Sequence, residues 1–471
     1  MNVLKNDADI LEYLFELNKN GIQLVYSEDK LYSKTRKALE PSVIKEIKEV
    51  KEPILNFYRK YQKRFFDLTY MQKAYLMGKE KEIALNTVNA TYYQEFEKEN
   101  IDVKKLEESL NWIINQNEAL RMVIFREGKG IISENLPNYN IKSYKLETYE
   151  QRIKYREEMS HKTYNYGTWP MFDVCVGKSF EDKDILHMIY DCSILDAWSI
   201  DILTKMLFKK YSGENIEVQD YNYTDYLRDF NKHLIANKNL IEEADRYWTV
   251  KSENLFKPPE LKTKQDISTV KSMTFKTVSY VFDKETTKKF KSIAMHNSVS
   301  FSNLIIGVYM CVLSKYSSNK DIAVNLTMFG KNINNKKALN LIGEFSNIAL
   351  IEYDSKEKDI IKSSKNIQEQ VIQALNYRLY DGINIIRKLK NGVEYYPVVV
   401  TSMLGVDYQS IYKGFAEVYC ISQTPQVILD HHIREIDGCL AISFDYVVEL
   451  FSDSQIHRLL EEYKLMLEGL I

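Results

Sequence analysis

No block of like charge interrupts this chain. Its 64 basic and 66 acidic residues are interspersed and leave a formal net charge of −2, which excludes electrostatic capture of nucleic acid or of an anionic membrane as the main activity. No stretch is apolar for long enough to span a bilayer, and the N-terminus lacks a basic segment followed by an apolar one, so a cytoplasmic protein is expected. The five cysteines, Cys175, Cys192, Cys311, Cys420 and Cys439, contain no CxxC pair, and their odd number suits free thiols rather than a disulfide framework. The seven histidines show no HExxH spacing, and no metal is expected. What is present is ordinary globular material: 471 residues, 45% hydrophobic and 28% charged, enough for two or three domains.

The first sixty residues read as a separate module, residues 1–60. Ile10, Leu11, Leu14 and Leu17 recur at helical spacing and Asn20-Gly21 stops the pattern. Ile22, Leu24 and Tyr26 then alternate with polar residues, Ser27-Glu28-Asp29-Lys30 supplies a turn, and residues 31–34 return as a second strand. Pro41-Ser42 opens a helical pattern through Val43, Ile44, Ile47 and Val50, which Pro53 is predicted to break or restart. The unit is αββαα. A hairpin in so small a unit offers unpaired strand edges for β-augmentation, with Ile22, Leu24, Tyr26 and Leu31 as the candidate docking surface. A cap packed on the main body is the alternative.

Beyond residue 60, strand-like segments (185–190, 322–327, 396–401, 440–445) alternate with helical ones (103–117, 199–211, 300–316, 360–375, 454–467), which predicts mixed α/β layers. The polar stretch 251–271, containing Pro258-Pro259, is the expected crossing between two halves, 61–255 and 256–471.

Residues 191–199, Asp-Cys-Ser-Ile-Leu-Asp-Ala-Trp-Ser, follow a strand-like run, precede a helical one and match DxxxxDxxS. In order along the chain stand Leu68-Thr69-Tyr70-Met71-Gln72-Lys73-Ala74-Tyr75-Leu76-Met77-Gly78, Glu118-Ala119-Leu120-Arg121, Asn325-Leu326-Thr327-Met328-Phe329, Gly343-Glu344-Phe345-Ser346, Pro397-Val398-Val399-Val400-Thr401-Ser402 and residues 422–430, Ser-Gln-Thr-Pro-Gln-Val-Ile-Leu-Asp. This series resembles the heterocyclization domains of nonribosomal peptide synthetases, relatives of condensation domains that carry HHxxxDG where this chain has Asp191 to Ala197. The order of elements in the first module resembles the TubC-like N-terminal docking domains of assembly-line megaenzymes. Glu344, Ser346, Lys331 and Val400 depart from the family pattern, all keeping charge or polarity in kind.

The resemblance implies two chloramphenicol-acetyltransferase-like lobes in a V-shaped pseudo-dimer, with a central tunnel entered by two carrier-protein arms. It implies condensation of a carrier-bound acyl or peptidyl thioester with carrier-bound Cys, Ser or Thr, then cyclodehydration to a thiazoline or oxazoline. No cofactor is expected on the chain itself, the substrates riding on phosphopantetheine. Expected partners are an upstream carrier or synthetase at the docking module, and downstream adenylation and peptidyl carrier domains.

Asp430, in an apolar run, is the expected general acid and base, oriented by Thr401. Gln426, Asn325 and Gln423 are expected to bind substrate or intermediate. Asp191, Asp196 and Ser199 are read as structural, because carboxylates in a tight strand-to-helix loop accept backbone amides. Cys192 is expected to be a buried inert thiol. Of the adjacent His431 and His432 at most one can line the tunnel, since neighbours on a strand point to opposite faces. A condensing enzyme that closes no ring, and a silent docking or scaffold module, are the competing readings.

Overall fold

In this computed structural model, residues 20–27, 30–35, 39–61, 65–78, 88–125, 128–134, 136–179, 183–331, 335–389 and 395–471 are described, together with positions 4, 9, 10, 13, 14 and 17. In the first module, β1 (Ile22–Ser27) and β2 (Lys30–Thr35) pair antiparallel, Ile22 opposite Thr35 and Ser27 opposite Lys30. The expected turn residues Glu28 and Asp29 lie outside the described residues, as does Leu11. Helices Pro41–Glu49 and Lys51–Tyr61 follow. The break falls at Val50 and not at Pro53, which sits in the first turn of the second helix, where a missing N–H leaves no hydrogen bond unmade.

The hairpin turns its apolar face inward, and this corrects the expected docking surface. Leu24 is buried with Ile10, Leu14, Leu17, Ile54, Phe57 and Tyr58, while Ile22, Tyr26 and Leu31 are half-buried against the same cluster. Tyr26 stacks on Tyr58 with ring centroids 5.2 Å apart. A two-stranded sheet has one face to bury, and these alternating residues are what it buries. The cluster continues into Val123, Phe125 and Ile131 of the main body, so the module packs onto it while the hairpin pairs with no third strand among the described residues.

Two six-stranded sheets form the main body. The first runs β14-β15-β4-β9-β8-β7, from β4 (Thr91–Glu99), β7 (Lys142–Leu146), β8 (Phe172–Ser179), β9 (Lys183–Asp191), β14 (Ile411–Tyr412) and β15 (Phe415–Gln423). The second runs β10-β17-β16-β13-β11-β12, from β10 (Phe275–Val281), β11 (Ile322–Phe329), β12 (Ser346–Tyr353), β13 (Val398–Ser402), β16 (Leu429–Ile436) and β17 (Cys439–Val447). A small third sheet orders β3 (Phe66–Asp67), β6 (Lys129–Ile132) and β5 (Met122–Phe125).

Strand β15 crosses between the lobes: it comes from late in the chain yet pairs with β4, Gln423 opposite Thr91. The turn 424–428 then carries the chain into β16 of the second sheet, so one short turn joins both sheets. Helix Phe301–Tyr316 packs behind the second sheet, its residues 303–310 all buried. No single helix among the described residues is long and apolar enough to cross a membrane.

Candidate functional site

The 191–199 loop leaves β9 and starts helix Ala197–Tyr211. Asp191 Oδ1 accepts from the Ser193 amide (2.9 Å) and hydroxyl, and Oδ2 from Asn89 Nδ2 at 3.2 Å. Asp196 caps the helix by accepting from the Ser199 amide at 2.7 Å, which satisfies one of the donors a helix start leaves open. Its second oxygen accepts from the Phe345 amide at 3.1 Å, its own amide donates to Gly343 O at 3.0 Å, and the Gly343 amide donates to Ser199 Oγ at 3.1 Å. Two motif residues, Asp196 and Ser199, thus clasp the first lobe to the 343–346 segment of the second. A Cβ on Gly343 would come within 2.4 Å of the Tyr223 ring, so the clasp closes only over glycine.

Burial pushes the Asp196 carboxyl above its ordinary range, the Lys331 charge and the amide donors pulling the other way. Burial also pushes Glu344 up to about 8, although Thr69 Oγ1 (3.1 Å) and the Ser346 amide (2.8 Å) donate to it. The Cys192 thiol is pushed well above its usual value by burial and by nearby carboxylates. A thiol held protonated makes a poor nucleophile or base.

A cavity of about 330 Å³ lies where helix Tyr70–Gly78, this loop, the 424–427 turn and the second sheet meet. Two cross-strand rows form its sheet wall. Register places Asn325 (β11) beside Val399 (β13), Val399 beside Asp430 (β16), and Asp430 opposite Asp445 (β17). Two residues on, Thr327, Thr401, His432 and Ser443 form the second row. The strand period of two aims both rows at one face, and Asn325, Thr327, Thr401, Asp430 and His432 all line the cavity.

This register corrects the partner expected for Asp430. Thr401 sits beside Thr327 and His432, one row away, and its hydroxyl donates to Thr327 Oγ1 at 3.0 Å. Asp430 faces His432 instead: Nε2 stands 3.3 Å from Asp430 Oδ2 and 3.2 Å from Asp445 Oδ2, and the latter oxygen also accepts the Ser422 amide at 2.7 Å. Burial works against a charge on His432, but the Asp430 and Asp445 carboxylates outweigh it and push the imidazolium up to about 10.

His431 points the other way, into Tyr309, Phe444 and Tyr463, where its Nδ1 meets Ser443 O at 3.0 Å. Burial, with the neighbouring His432 charge, holds it down to about 3, a neutral core residue. Asp430 Oδ1, Asn325 Oδ1 and His432 Nε2 are all buried with no hydrogen-bond partner among the described residues, so His432 meets the two aspartates by ion-pair contact and not by hydrogen bonds. Buried polar atoms are seldom left so, and three of them gather on this one wall.

The other expected substrate contacts separate. Gln426 lines the cavity, held at a left-handed φ of 64°. Gln423 is turned away from it on β15, its amide donating to Ser160 O on the opposite face from Ser422. Residue types and spacing did not single out His432, Asp445 or Thr327 as functional. The alternation Asp430-His431-His432 was the one signal in sequence, since on a strand His432 shares a face with Asp430 and His431 does not. Among the described residues no group of three His, Cys, Asp or Glu is arranged to hold a metal.

A family model described as "Condensation domain" matches residues 62–471. Bacitracin synthase 1 of Bacillus licheniformis is 25% identical over 420 residues, 84% of this chain and 8% of that protein. Phenyloxazoline synthase MbtB of Mycobacterium tuberculosis is 23% identical over 411 residues, 83% of this chain and 28% of that protein. The chain therefore spans well under half the length of these relatives. The structure of the EpoB NRPS cyclization-docking bidomain from Sorangium cellulosum superposes with a TM-score of 0.79 at 23% identity, covering 97% of this chain and 98% of that one.

Proposed function

The chain belongs to the condensation-domain family, and from that premise we propose that it joins a carrier-bound acyl or peptidyl group to carrier-bound Cys, Ser or Thr and closes the product to a thiazoline or oxazoline. The observation that carries this reading is Asp430, a buried carboxyl whose Oδ1 has no partner, standing on the cavity wall in one row with Asn325. Similarity to MbtB, a phenyloxazoline synthase, and to the cyclization-docking bidomain of EpoB supports it.

Amide formation needs no strong acid or base, because the thioester is already a good electrophile. Ring closure is harder: an amide carbonyl must accept the side-chain thiol or hydroxyl, and hydroxide must then leave. A positioned proton donor and acceptor lowers both barriers, by about a hundredfold to ten-thousandfold for this kind of catalysis. Asp430 is the group we assign to that task. Asn325 and Gln426 would hold the reacting amide, the open Oδ1 of Asn325 suiting a substrate N–H. The Thr401–Thr327 pair keeps the floor of the site polar. The loop aspartates have no part in proton transfer, because their oxygens are already spent on amides and side-chain donors.

The carriers' phosphopantetheine arms would deliver both substrates, and the first module would receive an upstream partner through the hairpin edge. Mass spectrometry of the acceptor carrier tests the reading, after incubation with an acyl-loaded donor and, separately, Cys-, Ser- or Thr-loaded acceptor. Acyl transfer with loss of one water on one acceptor is the expected result. Transfer with all water retained would make this a condensing enzyme only, and carrier binding without product would make it a scaffold.

A further inference from the structure

The Asp430 carboxyl has Oδ1 buried without a hydrogen-bond partner and Oδ2 within ion-pair reach of a side chain that has a second carboxylate beside it. His432 Nε2 lies between Asp430 Oδ2 at 3.3 Å and Asp445 Oδ2 at 3.2 Å, and the far carboxylate is anchored by the Ser422 amide at 2.7 Å. All three side chains are buried or nearly so, His432 being the most exposed at 14%. Strand pairing fixes their spacing: Asp430 and His432 are two apart on β16, and Asp445 is directly opposite Asp430 on β17. From this geometry we infer that His432 is a positioning residue acting through Asp430, gripping its carboxyl from behind and holding the proton that Asp430 passes to the departing hydroxyl. This rests on the ring-closing reading above.

The proton account closes. As the side-chain sulfur or oxygen bonds to the amide carbon, its proton moves to Asp430 and on to the former carbonyl oxygen. The carbon–oxygen bond then breaks, and the hydroxyl leaves as water with the proton that His432 supplies through Asp430. The carbon–nitrogen double bond forms as the N–H proton is lost to Asp430, which restores His432. One water departs and the pair ends as it began.

Other titratable or charged groups face this pair from several elements: Arg434 on the same strand, bonded to Glu417 and Cys420 of β15, Asp445 on β17, the protonated Cys192 thiol from the loop, and the Tyr309 hydroxyl from helix Phe301–Tyr316. Arg434 is engaged by Glu417 at 2.8 Å, which leaves the two aspartates as the groups that set the His432 charge.

The test uses the full chain, a loaded donor carrier and the acceptor that the unaltered protein cyclises, counting ring and linear products separately between about pH 6 and 9. The unaltered protein should hold a steady ring-to-linear ratio, because His432 keeps its proton up to about 10. His432→Gln should lower that ratio by about tenfold or more at the alkaline end, with recovery toward acid as solvent supplies the missing proton. Asp445→Asn, which removes the far anchor and keeps the shape, should lower it by about threefold to tenfold.

A ratio and pH profile unchanged in both variants would overturn the role of His432 while leaving ring closure intact. Absence of ring product from the unaltered protein would instead sink the ring-closing reading and this inference with it. Should His432→Gln lose both products together and melt early, the Asp445→Asn ratio decides: a fall supports the inference and no change overturns it.

Discussion

Two buried, acid-rich stretches meet at the cavity and use their carboxylates in opposite ways. In the 191–199 loop all four oxygens of Asp191 and Asp196 have donors: Ser193, Asn89, Ser199 and the Phe345 amide. On the sheet wall, Asp430 Oδ2 stands 3.3 Å from His432 Nε2 in an ion-pair contact, and Oδ1 is buried without a partner. A satisfied buried carboxylate is a structural joint, since moving a proton to it would break bonds that fix the loop and, at Asp196, bonds that hold the two lobes together. An unsatisfied one carries an energetic cost that a substrate can relieve, which is the usual condition of a working group. Both stretches belong to recognisable motifs, so motif membership alone does not separate joint from working group. The hydrogen-bond inventory tells the two kinds of carboxylate apart, and their roles are what the variants below measure.

The sharpest way to break this contrast is to remove one member of each region and compare what is lost. Asp430→Asn keeps the volume and one acceptor oxygen but cannot carry a proton. Its ring product should fall by about a hundredfold to ten-thousandfold, while linear acyl transfer persists. Product counting by mass spectrometry reads both from one reaction, and ring formation at the original rate would return Asp430 to the rank of a strand polar residue.

Asp196→Ala should do the reverse. It strips a helix cap and leaves the buried Ser199 and Phe345 amides without acceptors, a loss of about 3 kcal/mol in stability. Urea unfolding should show the lower midpoint, and both products should fall together with the folded fraction. A changed ring-to-linear ratio in folded Asp196→Ala protein would mean that the clasp takes part in the chemistry after all.

Much of the scaffold was legible because its signals are local. The helices at 103–116, 301–316, 360–376 and 453–468 and strands β9, β11, β13 and β17 follow from apolar period and capping residues, and they lie within one or two residues of expectation. The hydrogen bonds of Asp191, Asp196 and Ser199 could be anticipated because a strand-to-helix loop has a short list of needs. The site was legible only in part, because its geometry is set by pairing between strands far apart in sequence. Thr401 and Asp430 are both where motif order put them, yet the register of β11, β13 and β16 gives Thr401 to Thr327 and Asp430 to His432. Nothing along the chain announces that Asp445 stands opposite Asp430, or that β15 leaves its own half to extend the sheet of the other. The hairpin shows the same limit at smaller scale, where the period of two located Ile22, Leu24 and Tyr26 correctly on one face but not which way that face looks.

The smallest effect probes where the two regions are tied together. Gln426 sits in the turn between β15 of one sheet and β16 of the other, at a φ of 64° that a residue with a side chain adopts at a cost. Gln426→Gly removes that cost, about 1–2 kcal/mol, but frees the unfolded chain, so the net gain in stability should be at most about 1 kcal/mol. If the turn is held under strain to aim the Gln426 amide at the intermediate, the more stable variant should also be the slower one in ring closure, with linear transfer unaffected. Gln426→Ala separates the two contributions, since it keeps the strain and loses only the amide. Equal ring rates in Gln426→Gly and the unaltered protein would make the turn a connector only, and the working surface would then end at the sheet wall.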